Sequence, residues 1–163
     1  MCIRDRGKLS AARDCWKALL AQADRLAPAD AAAAWTSYGE VLTDLKLVSE
    51  AMEAYAQAVK LLPRDAACWY NLAVSARLAG SYGRAVMAVR NALEFAPEAP
   101  AAWALLGDLL FELHRATNRR QFLLEAVSAW RESYSLDPTQ ERIGKLLKTY
   151  DPARTPKATS RPS

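Results

Sequence analysis

The stretch that decides the fold is residues 66–99, AACWYNLAVSARLAGSYGRAVMAVRNALEFAPEA. Its tryptophan, Trp69, belongs to a series, because Trp35, Trp69 and Trp103 fall 34 residues apart. A fixed period of this length indicates repeated supersecondary units, each of which buries its apolar face only against its neighbours. The chain is therefore predicted to be a stack of repeats.

The residues around Trp69 resemble one whole tetratricopeptide repeat (TPR). The signature positions of that family are occupied by Trp69, Leu72, Ala73, Ala76, Ala85, Val89, Ala92 and Pro97. The resemblance implies an all-α fold, a right-handed α-solenoid of helix-turn-helix repeats with a C-terminal capping helix. It covers three full repeats, predicted at 32–65, 66–99 and 100–138.

Small residues recur on both helices of each predicted hairpin. Gly39, Ala73 and Gly107 on the first helices stand opposite Ala51, Ala85 and Ala126 on the second helices. We expect these pairs to let the two backbones approach closely, while Tyr55, Val89 and Trp130 fill the space between layers.

The third repeat is longer than the others. From Trp103 to Ala126 the spacing is 23 residues, whereas Trp69 and Ala85 are 16 apart, so seven residues are inserted. Seven residues are about two helical turns, one for each arm of the hairpin. We predict a lengthened hairpin with its tip near residues 117–118.

The ends of the chain depart from the repeat pattern. Residues 1–6, MCIRDR, match a translated sequencing adapter, and residues 7–28 look like the second helix of a truncated repeat. Residues 139–150 carry a single apolar stripe typical of a capping helix, and residues 151–163 are predicted to be disordered. The chain is thus interpreted as a fragment, and its alanine-rich helices favour a bacterial source.

The distribution of charged residues argues against nucleic-acid binding and against a membrane span. The net charge is +4, and residues 139–163 alone carry six basic and two acidic side chains, so the body of the chain is formally neutral. A neutral body lacks the footprint that phosphate-backbone binding needs, which argues against nucleic acid. The longest run without charge, Ala66 to Ala76, has eleven residues, too few for the ~20 of a membrane span.

Catalytic and metal-binding patterns are missing from the sequence. The one histidine, His114, falls at the turn of the third hairpin and is interpreted as a solvated residue. Cys2, Cys15 and Cys68 have no metal-ligand spacing, and unpaired cysteines slightly favour a reducing, cytoplasmic compartment. No phosphate loop or nucleophile motif occurs. We predict a protein that is not an enzyme and needs no cofactor or metal.

By resemblance, a partner would bind in the concave groove formed by the first helices. The groove residues predicted to bind it are Glu40, Asp44, Tyr70, Asn71, Val74, Arg77, Asp108 and Glu112. Thr36, Ser37, Thr43, Ala104, Leu105 and Phe111 share that helix face. Tyr70 and Phe111 are candidate anchors, since rigid aromatic side chains dominate many interfaces, although packing is the favoured role for Phe111.

One TPR subclass binds the acidic C-termini of the Hsp70 and Hsp90 chaperones through a carboxylate clamp of lysine, asparagine and arginine. The corresponding residues here are Thr36, Glu40, Asn71, Ala101 and Leu105, of which only Asn71 matches. Because Glu40 would repel a carboxylate, this subclass is disfavoured. A basic or apolar segment of a protein or peptide is the expected ligand.

Two other functions stay open. The repeats could be the accessory domain of a larger bacterial enzyme, such as a glycosyl- or sulfotransferase, whose catalytic part lay upstream. Alternatively, the stack could be structural and self-associate, and a truncated first repeat would favour association through the uncovered apolar face of residues 9–26.

Overall fold

The computed structural model describes residues 3–151 and 153, apart from the side chains of residues 3–6 and 24. In this part of the chain there are eight α-helices and one short 3-10 helix, and no strand. The protein is therefore all-α, as predicted. Its residues fall into two compact units, Met1–Pro97 (unit 1) and Glu98–Ser163 (unit 2).

Unit 1 holds one leading helix and two hairpins. Helix α1 is Ile3–Leu20, and the 3-10 helix Ala23–Arg25 follows it. The first hairpin pairs α2 (Pro28–Asp44) with α3 (Val48–Leu61), and the second pairs α4 (Ala66–Leu78) with α5 (Tyr82–Phe95). Helix α4 packs on α3 and also contacts α2, so each hairpin covers the apolar side of the one before it.

Unit 2 holds the long hairpin of α6 (Pro100–Thr117) and α7 (Arg120–Leu136), followed by α8 (Glu141–Tyr150). Helices α6 and α7 have 18 and 17 residues, whereas α4 and α5 have 13 and 14. The inserted residues therefore extend both arms. The chain reverses at Asn118, which has a left-handed backbone conformation.

Equivalent turns close the two hairpins of unit 1. Lys46 (φ 65°) and Gly80 (φ 72°) both have left-handed backbones, and the next amide donates to a carbonyl five residues back, Leu47 to Leu42 and Ser81 to Ala76. This is the helix-ending arrangement that usually carries glycine. The first hairpin thus accepts a lysine at a position where its side chain is strained.

Two first-helix glycines lie in close contact with the second helix of their hairpin. A Cβ on Gly39 would lie 2.8 Å from ring atoms of Tyr55, and one on Gly107 would lie under 3.0 Å from the indole of Trp130. The nearest groups are thus aromatic rings of the second helix, Tyr55 and Trp130, which were predicted to fill the space between layers. Each glycine makes room for a ring that crosses the first helix.

The C-terminal boundary also needs a correction. The sequence predicts disorder from residue 151 onwards, but the Asp151 side chain is only 2% exposed. Its carboxylate accepts hydrogen bonds from the Arg131 guanidinium, one of them at 2.8 Å, and from the Ala153 amide at 2.9 Å. The ordered part of unit 2 therefore extends past α8, and the remainder of the predicted tail, residues 152 and 154–163, lies outside the described residues.

Candidate functional site

Six of the eight predicted groove residues lie on the first helices of unit 1. Glu40 and Asp44 are exposed and one turn apart on α2, and Arg77 is exposed near the end of α4. Between them Tyr70, Asn71 and Val74 are half-buried on α4. We call these six residues the first-helix face. Helices α2 and α4 contact each other, so both contribute to one continuous surface.

The first-helix face is acidic at its α2 side. Neither Glu40 nor Asp44 forms an ion pair with any side chain that the structure describes. Tyr70 and Val74 stand one helical turn apart on α4 and supply the apolar part of the same face. A face with exposed carboxylates on one helix and a half-buried aromatic ring on the next suits a ligand with a cation and an apolar group.

The sequence did not identify Tyr55 as a neighbour of this acidic pair. Its ring lies over Gly39, and burial raises the pKa of its phenol. The negative charges of Glu40 and Asp44 raise that pKa further, while a hydrogen bond with the Thr43 side chain opposes them. Tyr55 is therefore within electrostatic range of the two carboxylates. The sequence does carry a signal for this position, since Gly39 on the first helix leaves space that the aromatic residue Tyr55 on the second helix can fill.

The two remaining predicted residues lie in unit 2 and are already paired. Asp108 accepts a hydrogen bond from Trp130 Nε1 at 3.1 Å and two from the Arg142 guanidinium, both at 2.9 Å. Glu112 forms an ion pair with Arg115 at 3.3 Å. These carboxylates are therefore engaged within unit 2.

Other residues of the predicted groove in unit 2 belong to its interior. Ala104 and Leu105 are buried, at 8% and 5% exposure, so the prediction that they line the groove is wrong. The ring of Phe111 lies 4.9 Å from the Tyr150 ring and 5.5 Å from the Trp130 ring, measured between centroids. Phe111 therefore packs under the C-terminal helix.

His114 has a structural contact at the turn of unit 2. Its Nδ1 lies 3.0 Å from the Arg119 carbonyl oxygen, which links the end of α6 to the residue before α7. Within the described residues there is no cluster of histidine, cysteine or acidic side chains that could hold a metal ion. In the same part of the chain, no helix combines the length and apolar character of a membrane span.

Helical hairpins that repeat along an all-α chain define an α-solenoid repeat protein. The tetratricopeptide repeat family matches residues 32–75. This stretch is thus similar to a tetratricopeptide repeat, and the all-α fold of the described residues is that of tetratricopeptide repeat domains. Among curated proteins, none matches it by sequence.

Three solved structures illustrate the likeness in fold. MamA is 19% identical with a TM-score of 0.75, over 93% of this chain and 78% of MamA. The Arabidopsis OM64 TPR domain is 19% identical with a TM-score of 0.68, over 76% of this chain and 97% of that domain. The first TPR of Spaghetti (RPAP3), bound to the HSP90 peptide SRMEEVD, is 17% identical with a TM-score of 0.68, over 77% and 94%.

Proposed function

We propose that the protein binds a peptide or protein segment on the first-helix face of unit 1, as a scaffold or adaptor. The observation that carries this proposal is the pair of exposed, unpaired carboxylates of Glu40 and Asp44 on α2, a helix that contacts α4, which carries the half-buried ring of Tyr70. A segment in which a basic residue is followed or preceded by an apolar residue is complementary to this arrangement. Arg77 would face the opposite end of the segment.

The RPAP3 structure supports the class of function and provides a contrast in ligand. That protein binds an acidic peptide, SRMEEVD. In this chain Glu40 places a negative charge where the carboxylate clamp uses a neutral asparagine, and Leu105, at the clamp's arginine position, is buried. Like charges brought together in an interface disfavour the wrong partner. We therefore propose that acidic chaperone C-termini are not ligands.

The test compares two fluorescent probe peptides by anisotropy. One is SRMEEVD, and the other is a peptide of the same length in which lysine and leucine replace the acidic and neutral residues. We expect the basic peptide to bind and SRMEEVD not to bind, with the RPAP3 domain as the positive control for the acidic probe. Binding of SRMEEVD by this protein, together with failure of the basic probe, would contradict the proposed ligand class.

Variants then locate the binding surface. Glu40→Lys with Asp44→Lys should weaken the basic probe at least tenfold, equivalent to ~1.4 kcal/mol, and the loss should shrink at high salt. Tyr70→Ala should cost a similar factor if the ring is an anchor. The matched controls are Glu94→Lys and Phe95→Ala, which change exposed residues of the second helix α5, outside the first-helix face. Equal losses in the controls would show that the surface is wrongly placed.

A further inference from the structure

Unit 1 has a second surface feature, a cleft between the two second helices. Helices α3 and α5 form its walls and α4 forms its floor, and its volume is about 370 Å³. The floor residues Trp69, Leu72 and Ala76 recur at i, i+3 and i+7, which is one side of a helix. Tyr70 and Val74 lie on the other side of α4. The cleft, here called the second-helix cleft, is thus separate from the first-helix face.

The lining of the cleft is apolar and adaptable. Met52 and Met87 line opposite walls, and the alanines Ala56, Ala76 and Ala88 leave space between them. Met87 is 68% exposed, the highest value among the exposed large apolar side chains of the described residues. Methionine adapts its shape to different contacts and is frequent on binding surfaces. Since a cavity of about 150 Å³ can hold benzene, this cleft has room for more than one apolar side chain.

The floor of the cleft is rigid at its largest residue. Trp69 Nε1 donates a hydrogen bond to the Pro63 carbonyl oxygen at 2.8 Å, and the ring packs against the core cluster of unit 1. An occupant therefore meets a hydrogen-bonded aromatic surface below and methionine side chains, which can adapt their shape, at the walls.

Opposite charges flank the cleft. Glu53 lies on the α3 wall and Arg84 on the α5 wall, and both are exposed. Neither forms an ion pair with a side chain that the structure describes, so the two charges do not satisfy each other across the cleft. An occupant must bring an acidic group to Arg84, a basic group to Glu53 and an apolar group to the space between them.

The rim of the cleft itself carries this set of groups. A second copy of the chain, related by a two-fold axis that runs along the cleft between α3 and α5, would bring its own Arg84 opposite Glu53. The same rotation brings its Glu53 opposite Arg84, because a two-fold interface repeats each contact reciprocally. Met87 of each copy would then enter the cleft of the other.

We propose that the second-helix cleft is a self-complementary dimer interface, held by the exposed Met87 side chains and by two reciprocal Glu53–Arg84 ion pairs. One cleft is a small contact area, so the dimer is a weak one that forms at high protein concentration. This association is independent of peptide binding on the first-helix face, since the two surfaces lie on opposite sides of α4. A dimer would present two first-helix faces and could bind a repeated ligand more tightly than a single copy.

Sedimentation velocity across a concentration series tests the proposal. The wild-type chain should pass from monomer to dimer, and Glu53→Arg and Arg84→Glu should each abolish the dimer by placing like charges opposite each other. An equimolar mixture of these two variants should associate again, because position 53 of each copy then faces the opposite charge at position 84 of the other. The double variant, which carries both changes in one chain, should also dimerise.

Three controls make the result specific. Met87→Ser should weaken the dimer without changing the charges, while Glu40→Arg and Arg64→Glu, which are exposed changes outside the cleft, should leave it intact. Circular dichroism and thermal melting verify that each variant is folded. A wild-type chain that stays monomeric up to about 1 mM would overturn the proposal, and so would a dimer that tolerates both single charge reversals. Peptide binding is measured separately, so either proposal can fail alone.

Discussion

Replacement of Gly107 by alanine tests the way in which unit 2 is packed. The added Cβ would overlap the Cδ1 and Nε1 atoms of Trp130, whose side chain is 1% exposed and therefore has no free space to move into. Overpacking of this kind costs up to about 3 kcal/mol. A displaced indole would also lose its hydrogen bond to the Asp108 carboxylate, worth at least ~1.5 kcal/mol.

The gain in helix propensity offsets part of this loss. Alanine is better than glycine in a helix by ~1 kcal/mol, so we expect Gly107→Ala to destabilise the protein by about 3 kcal/mol. For a chain of this size each kcal/mol lowers the melting temperature by roughly 2–4 °C. The expected decrease is therefore about 6–12 °C, measured by circular dichroism and by urea titration.

Two other glycines provide matched controls. Gly83 on α5 has no heavy atom within 4 Å of a built Cβ, so Gly83→Ala should be neutral or slightly stabilising. At Gly39 the added Cβ would lie 2.8 Å from the Tyr55 ring, so Gly39→Ala should destabilise the protein less than Gly107→Ala does. From most to least stable, the expected order is Gly83→Ala, wild type, Gly39→Ala and Gly107→Ala.

A double-mutant cycle gives the result that would refute this reasoning. The second repeat combines Ala73 with Val89 at the corresponding positions, so Trp130→Val should remove the overlap. In a Trp130→Val background, Gly107→Ala should cost little or should stabilise the protein. If the substitution costs the same with and without the indole, contact with Trp130 is not the cause.

Three further predictions concern unit 1. Lys46→Gly should stabilise it by about 0.5–1 kcal/mol, because a left-handed residue with a side chain is strained and glycine is not, and Gly80→Lys should destabilise it by a similar amount, both measured by urea titration. Burial raises the pKa of Tyr55, so the neutral phenol stabilises the folded state fully below about pH 10, the ordinary tyrosine pKa. This stabilisation is lost as the pH rises through the pKa of Tyr55 in the folded state, and Tyr55→Phe should therefore reduce the loss of stability at alkaline pH. In a variant whose N-terminal cysteine is serine, exposed Cys15 should react quickly with a thiol reagent, whereas buried Cys68, whose pKa is raised by desolvation, should react only when denaturant is added; equal labelling rates would contradict the assigned burial.

The repeat period and the hairpins follow from sequence because they depend on patterns within one repeat. Tryptophan spacing identifies the repeats, and the count between Trp103 and Ala126 places the extra residues near Asn118, where the structure has its turn. Contacts between side chains of different helices were harder to foresee. A small residue at Gly39 or Gly107 indicates a close neighbour, but the ring that fills the space is set by the facing helix.

The predicted site residues also differ in their contacts, because those contacts come from different helices. Glu40 and Asp108 occupy the same position of their repeats, and sequence pattern alone gives them the same role. In the structure Glu40 has no cationic partner among the described residues, whereas Asp108 is held by Arg142 and Trp130. What differs is the next helix, and its side chains have no counterpart in the repeat signature.

Helix α8 takes the place that a following first helix would have. It packs on α7, and it reaches α6 through the ion pair of Arg142 with Asp108 and through the ring of Tyr150 on Phe111. Helix α4 relates in the same way to α3 and α2. In α8, however, Gly144 stands at the tryptophan position, and its own close neighbour is the Tyr134 ring, 3.2 Å from a built Cβ. Asp108 and Phe111 of α6 are consequently used to hold α8, which is why the proposed ligand surface is the first-helix face of unit 1, where the carboxylates have no ion-pair partner among the described residues.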